Sequence, residues 1–236
     1  MKLIKIKSMH PANEFAPSWN IPIHISNWND YEKIDKIKNF LISKETDMLT
    51  LPNGAGLAYG DGRTGLGLDS VTARSGTYSL FDFSKELDEF NDLLDFIRIS
   101  YLNFISEYQA AFYNSHIVCW YNVVRTGQNI NTHFHGTGHD CYLSGNMHLD
   151  NYPTTTNYYV PYDKSLIHKF ENIAGGLTMF PTYLPHGVDT YTGEDLRISV
   201  AFDLHTAVPK DLISIPFMNN EIFNNIEHLY KKVKFS

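Results

Sequence analysis

The sequence predicts a mainly β fold with flanking helices, an α+β arrangement in which one long helix supports a strand-rich core. Two observations carry this prediction. Residues 116–206 contain short segments rich in β-branched and aromatic side chains, separated by turn-forming residues. Residues 84–108 place apolar side chains at intervals of three and four, which is typical of an amphipathic helix. A chain of 236 residues can bury one substantial core, so we expect a single domain over residues 1–236.

The first 115 residues are expected to form loops and supporting helices. Asn29 is a candidate N-cap, because Glu32 follows three residues later and apolar residues continue on one face. We expect this first helix to end near Ser43. The long helix farther along the chain should pack against a sheet and hold no cofactor.

A glycine-crowded segment lies between Pro52 and Gly67, and residues 60–65 within it satisfy a GxGxxG pattern. No strong strand precedes this pattern, no periodic helix follows it, and the GK[ST] ending of a phosphate-binding loop is absent. The segment is therefore predicted to be a surface loop. Covering the active site is the alternative role that we consider for it.

The strand-rich half, residues 116–206, predicts an all-β barrel or sandwich because its strands are short and separated by turns. Residues 207–236 return to a helical pattern, and we expect a C-terminal helical extension there. Its apolar face would consist of Ile222, Phe223, Ile226, Leu229, Tyr230 and Val233.

Charge and cysteine content narrow the partners and the compartment. The formal net charge of −7 disfavours bulk binding to nucleic acid, which needs a basic surface. The segment Met1–Lys7 lacks the apolar core of a signal peptide, and no apolar run reaches membrane-spanning length. Cys119 and Cys141 are most simply read as two reduced thiols, so we expect a cytoplasmic protein.

Three histidines form a candidate metal site. His133 and His135 alternate along a predicted extended segment, so both imidazoles project to the same side and can reach one ion. His186 follows the apolar strand 175–180, where its imidazole could meet the first pair across the mouth of a barrel. A turn histidine that merely caps the strand is the alternative for His186.

The segment 196–204 alternates large apolar residues with a second face that carries Arg197, Ser199 and Asp203. If the strand lies in a barrel with helices packed outside, this second face points inward. Arg197 and Ser199 then form an anion site, because a guanidinium fork matches a carboxylate and the hydroxyl adds another donor. Otherwise the second face is exposed to solvent.

At these residues the sequence resembles the 2-oxoglutarate/iron(II) oxygenases, and among them a group of short bacterial and phage proteins related to prolyl hydroxylases. The resemblance covers about a third of the chain, between Trp120 and Asp203. It rests on Trp120-Tyr-Asn122, His133-Phe-His135, Leu143-Ser-Gly145, Gly175-Gly-Leu-Thr-Met-Phe-Pro181, His186 and Arg197-Ile-Ser199.

The resemblance implies a double-stranded β-helix, that is, a jelly-roll or cupin-like barrel with iron(II) at its open end. It implies a dioxygenase or hydroxylase that uses 2-oxoglutarate as co-substrate together with dioxygen. His133 and His186 would then be iron ligands. Arg197 and Ser199 would hold the far carboxylate of 2-oxoglutarate. Asn122, on the strand before His133, either lines the same cavity or is a structural core residue.

The chain departs from the resemblance at one ligand. Most members have His-x-Asp or His-x-Glu where this chain has His133-Phe-His135. The candidates for the third ligand are therefore His135, which has the required alternation, and Asp140, which needs Gly136 and Gly138 to turn the chain back. We favour His135.

Two other functions remain open on the residues alone. One is a cupin-like metalloenzyme that uses three histidines without 2-oxoglutarate, and the other is a non-catalytic β-sandwich that binds a sugar or a protein. The sequence does not identify the primary substrate. Fold analogy favours an amino-acid or peptidyl side chain.

Overall fold

The computed structural model describes residues 1–9, 13–53, 60–136, 140–160, 163–207 and 213–218. This part of the chain contains the helices α1 (Tyr31–Leu49) and α2 (Glu89–Tyr108) and two 3-10 helices, Val71–Arg74 and Leu80–Lys85. Its strands are β1 (Lys2–Lys7), β2 (Asn20–Asn27), β3 (His116–Val124), β4 (Ile130–His133), β5 (Cys141–His148), β6 (Tyr152–Val160), β7 (Asp163–Asn172), β8 (Gly176–Pro181), β9 (His186–Val188), β10 (Arg197–His205) and β11 (Ile215–Pro216). The C-terminal helix expected over residues 222–233 lies outside the described residues.

The described strands form two antiparallel sheets. A seven-stranded sheet has the order β1-β2-β8-β5-β10-β3-β11, and a four-stranded sheet has the order β4-β9-β6-β7. The prediction of a mainly β jelly-roll with flanking helices is confirmed. The expectation of a closed barrel is wrong for the described strands, because no strand pairing joins one sheet to the other.

The helices pack on one face of the large sheet, and strand β10 shows why. Its residues Ile198, Val200 and Phe202 are fully buried in the same apolar cluster as the stripe of α2. Because successive side chains of a strand point to opposite faces, Arg197 and Asp203 turn away from the helices. The polar face of this strand therefore points inward, towards a cavity.

The first helix differs from its prediction at both ends. Its N-cap is Asp30, whose carboxylate accepts a hydrogen bond from the backbone N–H of Lys33 at 3.3 Å, whereas Asn29 accepts one from the Asn27 side chain. The helix continues to Leu49 because Met48 adds to its buried face. The second helix begins at Glu89 rather than Ser84, since a 3-10 helix occupies the preceding residues. Neither described helix has the length and apolarity needed to cross a membrane.

Candidate metal centre

A cavity of 340 Å³ opens on the inner face of the large sheet. Both sheets and the loop at residues 61–64 line it. The cavity collects most of the residues that the sequence singled out: Asn122, His133, His135, His186, Arg197 and Ser199. Residues separated by more than sixty positions along the chain therefore share one site.

Strand pairing brings the three histidines together. His133 ends β4 and lies directly opposite His186, the first residue of β9. His135 follows two residues after His133, and its backbone N–H bonds to the Thr182 carbonyl at 3.1 Å. The ring nitrogens of the three histidines that could bind a metal lie within 4.8 Å of one another. This spacing allows one ion to contact all three.

Each of these imidazoles has an acceptor at Nδ1. The Nδ1 of His133 lies 2.7 Å from the carbonyl oxygen of Asn131, and that of His186 lies 3.1 Å from the carbonyl of Leu184. The Nδ1 of His135 lies 2.6 Å from Oδ1 of Asp203. Because a carbonyl or carboxylate can only accept, the proton belongs on Nδ1. In the neutral rings, Nε2 then keeps a lone pair that can bind a metal.

Burial keeps two of these rings neutral. Burial, together with the neighbouring His135, lowers the pKa of His133 to about 4. Burial and the two other histidines lower the pKa of His186 well below its usual value. Since metal ligands must be deprotonated, the site favours the form of histidine that binds metal.

These buried neutral histidines predict that the metal-free protein loses stability in mild acid. Below pH 6.5 these histidines bind protons in the unfolded chain but stay neutral in the folded protein. Their contribution to the free energy of unfolding is therefore fully present above this pH and falls as the pH drops towards the folded pKa. For His133 alone we expect a loss of about 2 kcal/mol between pH 7 and pH 5. Urea unfolding at the two pH values measures this change.

The control for that experiment is His186→Asn, which removes one of the buried imidazoles. We expect the difference in unfolding free energy between pH 7 and pH 5 to be smaller in this variant than in the wild type. Equal stability of the wild type at both pH values would show that the folded histidines take up protons freely.

Asp140 is not brought to the histidines. Its side chain is exposed, and its backbone carbonyl accepts hydrogen bonds from Thr206, just before β5 begins and just after β10 ends. Among the described residues, two carboxylates line the cavity, those of Asp61 and Asp203, and neither belongs to the three-histidine group. The geometry therefore favours His135 over Asp140 as the third ligand.

Arg197 is a buried cation inside the cavity. It is 1% exposed, its guanidinium carbon lies 5.8 Å from the centre of the Tyr152 ring, and its Nη2 lies 3.4 Å from Nδ1 of His148. Burial lowers its pKa to about 10, so the group stays charged at neutral pH. Nε and Nη1 find no hydrogen-bond partner among the described residues. Buried donors of this kind are normally satisfied, so their orientation fits an anion in the cavity.

A row of polar side chains crosses the large sheet next to Arg197. Ser199 lies between Asn122 of β3 and His148 of β5 in the strand register. The amide oxygen of Asn122 accepts a hydrogen bond from the Thr72 hydroxyl at 2.7 Å, which fixes the orientation of the amide. All four of these side chains line the cavity, and together they offer donors beside the guanidinium.

Sequence reasoning did not single out His148, which lies buried beside Arg197. Burial and the positive charge of Arg197 lower the pKa of His148 well below its usual value. The neutral Nδ1 can therefore accept from Arg197, while Nε2 faces the Thr156 hydroxyl at 3.4 Å. Its place on the polar face of β5 is the signal that could have found it.

The glycine-crowded loop lies at the cavity. Asp61, Gly62, Arg63 and Thr64 contribute to its lining, which supports the covering role over that of a distant surface loop. The guanidinium of Arg63 lies over the ring of Phe134 at 5.7 Å, so the loop contacts the chain between His133 and His135. Residues 54–59 of the loop lie outside the described part of the chain.

Comparison with known families finds one match, to the model described as "Putative 2OG-Fe(II) oxygenase", over residues 118–203. No match was found among curated proteins. The matched segment contains all the cavity-lining residues of strands β3, β5 and β10 and all three histidines.

Similar folds occur among solved structures. The viral collagen prolyl hydroxylase vCPH from Paramecium Bursaria Chlorella virus-1 is 11% identical, with a TM-score of 0.51 over 79% of this chain and 90% of that one. The prolyl hydroxylase from Trichoplax adhaerens, solved with a hypoxia inducible factor peptide, is 11% identical, with a TM-score of 0.50 over 78% and 83%. At these identities the likeness shows the fold alone.

A third structure is matched over a smaller part. It is a 2OG-Fe(II) oxygenase family oxidoreductase from Burkholderia pseudomallei, 14% identical with a TM-score of 0.44. The match covers 53% of this chain and 62% of that structure, less than two thirds of its length.

Proposed function

We propose that this chain, whose residues 118–203 match the 2OG-Fe(II) oxygenase family, is an iron(II)- and 2-oxoglutarate-dependent oxygenase that hydroxylates its substrate. The observation that carries the proposal is the combination of three convergent histidines and a buried arginine in one cavity. Three histidines suit several metals, and a buried arginine suits many anions. The two features together match the needs of an iron ion and a dicarboxylate.

The donors fit iron(II). His133, His135 and His186 supply three nitrogen ligands from one side, which leaves open positions for co-substrate and dioxygen. The fit to 2-oxoglutarate rests on Arg197, whose unpartnered Nε and Nη1 can donate to a carboxylate. Ser199 and Asn122 lie beside it and can add hydrogen bonds to the same anion.

When bound, iron(II) and 2-oxoglutarate would supply the oxidant, with reduction of dioxygen coupled to decarboxylation of the co-substrate to succinate. The protein's own residues would bind and orient the co-substrate and shield the cavity from solvent. Arg197 would neutralise the far carboxylate in a buried position, where the attraction between charges is stronger than in water. His148 and Tyr152 hold the guanidinium in place. The loop at residues 61–64 borders the cavity and limits access to it.

For the primary substrate we propose an amino-acid or peptidyl side chain. The support is the fold shared with two prolyl hydroxylases, one of them solved with a peptide. Aromatic side chains at the cavity offer contact area, since Trp120 lines it and Phe134 is 39% exposed beside it.

Three further assignments remain part of the proposal. We propose that residues 1–236 form one domain. We propose a cytoplasmic protein in which Cys119 and Cys141 are free thiols. We also propose that the chain is related to bacterial and phage proteins. Bulk nucleic-acid binding is not expected from the net charge of −7.

The experiment that tests the function uses the metal-free protein under anaerobic conditions. We expect addition of iron(II) and 2-oxoglutarate to produce a weak visible charge-transfer band, and admission of air to yield succinate. A cupin-like three-histidine enzyme would bind iron without the band and without succinate. A non-catalytic binding module would not retain iron, and either result would overturn the proposal.

A further inference from the structure

Asp203 lies directly behind the candidate metal ligand His135. It belongs to β10 and pairs with Ser144 of β5 in the strand register. Its Oδ1 accepts two hydrogen bonds, one from Nδ1 of His135 at 2.6 Å and one from the hydroxyl of Ser144 at 2.6 Å. The carboxylate is 13% exposed, so water screens these contacts little.

Asp203 is one of the two described carboxylates that line the cavity, and it is the one that contacts a candidate metal ligand. Asp61, the other described carboxylate at the cavity, is occupied by its own loop, where it accepts from the backbone N–H groups of Arg63 and Gly67. Of these two side chains, Asp203 is therefore the one placed to support the histidine cluster.

His135 differs from the two other histidines in this partner. His133 and His186 donate to backbone carbonyls, which no side-chain substitution can remove. His135 donates to a side chain, and its ring is further held by Trp120 at 5.6 Å and Phe180 at 6.5 Å between ring centres. An anionic acceptor also raises the basicity of the ring more than a neutral carbonyl does, so Nε2 becomes the better donor to a metal.

We propose that Asp203 is the positioning carboxylate of the metal centre: it fixes His135 with the proton on Nδ1 and places its negative charge one imidazole away from the metal. In a His-x-carboxylate site the carboxylate binds the metal directly. In this chain the carboxylate lies behind His135 instead. The inference rests on the proposed function, in which His135 is an iron ligand.

The test compares Asp203→Asn with the wild type. The asparagine side chain has nearly the same shape but no charge, so we expect iron(II) affinity to fall by about 10- to 100-fold, as for other outer partners of metal-binding histidines. Affinity is measured anaerobically by competition with a chromogenic chelator. Asp150→Asn is the matched control, because Asp150 pairs with Lys38 on the surface and does not line the cavity. Its affinity should equal that of the wild type.

A second measurement needs neither metal nor activity. Nitrogen-15 NMR of the histidine-labelled, metal-free wild type, at a pH where the ring is neutral, reports which nitrogen of His135 carries the proton. We expect Nδ1–H and a bare Nε2 in the wild type, and a mixture of the two tautomers in Asp203→Asn. A wild-type ring protonated on Nε2 would overturn the proposal even if the variant fails to fold.

The outcomes separate this inference from the proposed function. If the wild type retains iron and Asp203→Asn has the same iron(II) affinity, the proposed role of Asp203 is wrong. The proposed function is not contradicted by that result. A wild type that does not bind iron would contradict the function, and the NMR measurement would still decide whether Asp203 sets the tautomer of His135.

Discussion

Arg197→Ala is expected to weaken 2-oxoglutarate binding by roughly 2–5 kcal/mol, a loss of about 30-fold to a few thousand-fold, while iron(II) binding stays close to that of the wild type. The guanidinium is fully buried, and its Nε and Nη1 have no partner among the described residues, so an anion that binds there gains charge-assisted hydrogen bonds. The three candidate metal-binding histidines lie outside β10, so the substitution leaves their nitrogens in place.

The measurement is a 2-oxoglutarate titration of the charge-transfer band, together with uncoupled succinate formation. Arg197→Lys is the matched variant, because it keeps a positive charge but loses the planar fork, and we expect an intermediate affinity. Ser199→Ala should cost less, since it removes one neutral hydrogen bond. An unchanged affinity in Arg197→Ala would show that the co-substrate's carboxylate binds elsewhere.

His186→Ala and His135→Ala are expected to lose iron binding and turnover together. Each removes one of three nitrogen donors that lie within 4.8 Å of one another, and two remaining ligands cannot hold iron(II) against water and chelators. Asp140→Ala should keep its iron, because that side chain is exposed and lies outside the histidine group.

Iron content after anaerobic reconstitution and desalting separates these variants. Circular dichroism of each metal-free variant shows whether the fold survives, so that lost iron is not mistaken for unfolding. Stoichiometric iron in His186→Ala would make this residue a structural turn histidine. Loss of iron in Asp140→Ala with retention in His135→Ala would restore a site of two histidines and one carboxylate.

The sequence predicted the parts of the fold that follow from local periodicity. The alternation along residues 196–204 separates the faces of β10 correctly, because burial on both sides of a strand still obeys the two-residue repeat. The spacing of His133 and His135 likewise places two rings on one side. The bounds of the first helix were less accurate, since Asp30 and Asn29 are both good caps and tertiary contacts choose between them.

Long-range pairing could not be predicted from the sequence. That His148 lies beside Arg197, or Asp203 behind His135, depends on the register of β10 against β5 and on the path of the chain after β4. The polar face of β5 indicates that His148 points inward, but the pattern does not say which residues of other strands it meets there. The sequence therefore predicted the candidate ligands but not the contacts that His148 and Asp203 make with them and with Arg197.

Strand β10 carries both Arg197 and Asp203, six positions apart on the same face, and lies between β3 and β5 in the interior of the seven-stranded sheet. A strand held on both edges hardly stretches, and at a backbone repeat of roughly 3.3 Å per residue it keeps the Cα atoms of Arg197 and Asp203 about 20 Å apart. On the proposed function, this strand would hold the anion-binding end of the cavity and its metal side at a constant separation. We therefore expect a dicarboxylate with a shorter carbon chain than 2-oxoglutarate to bind less tightly.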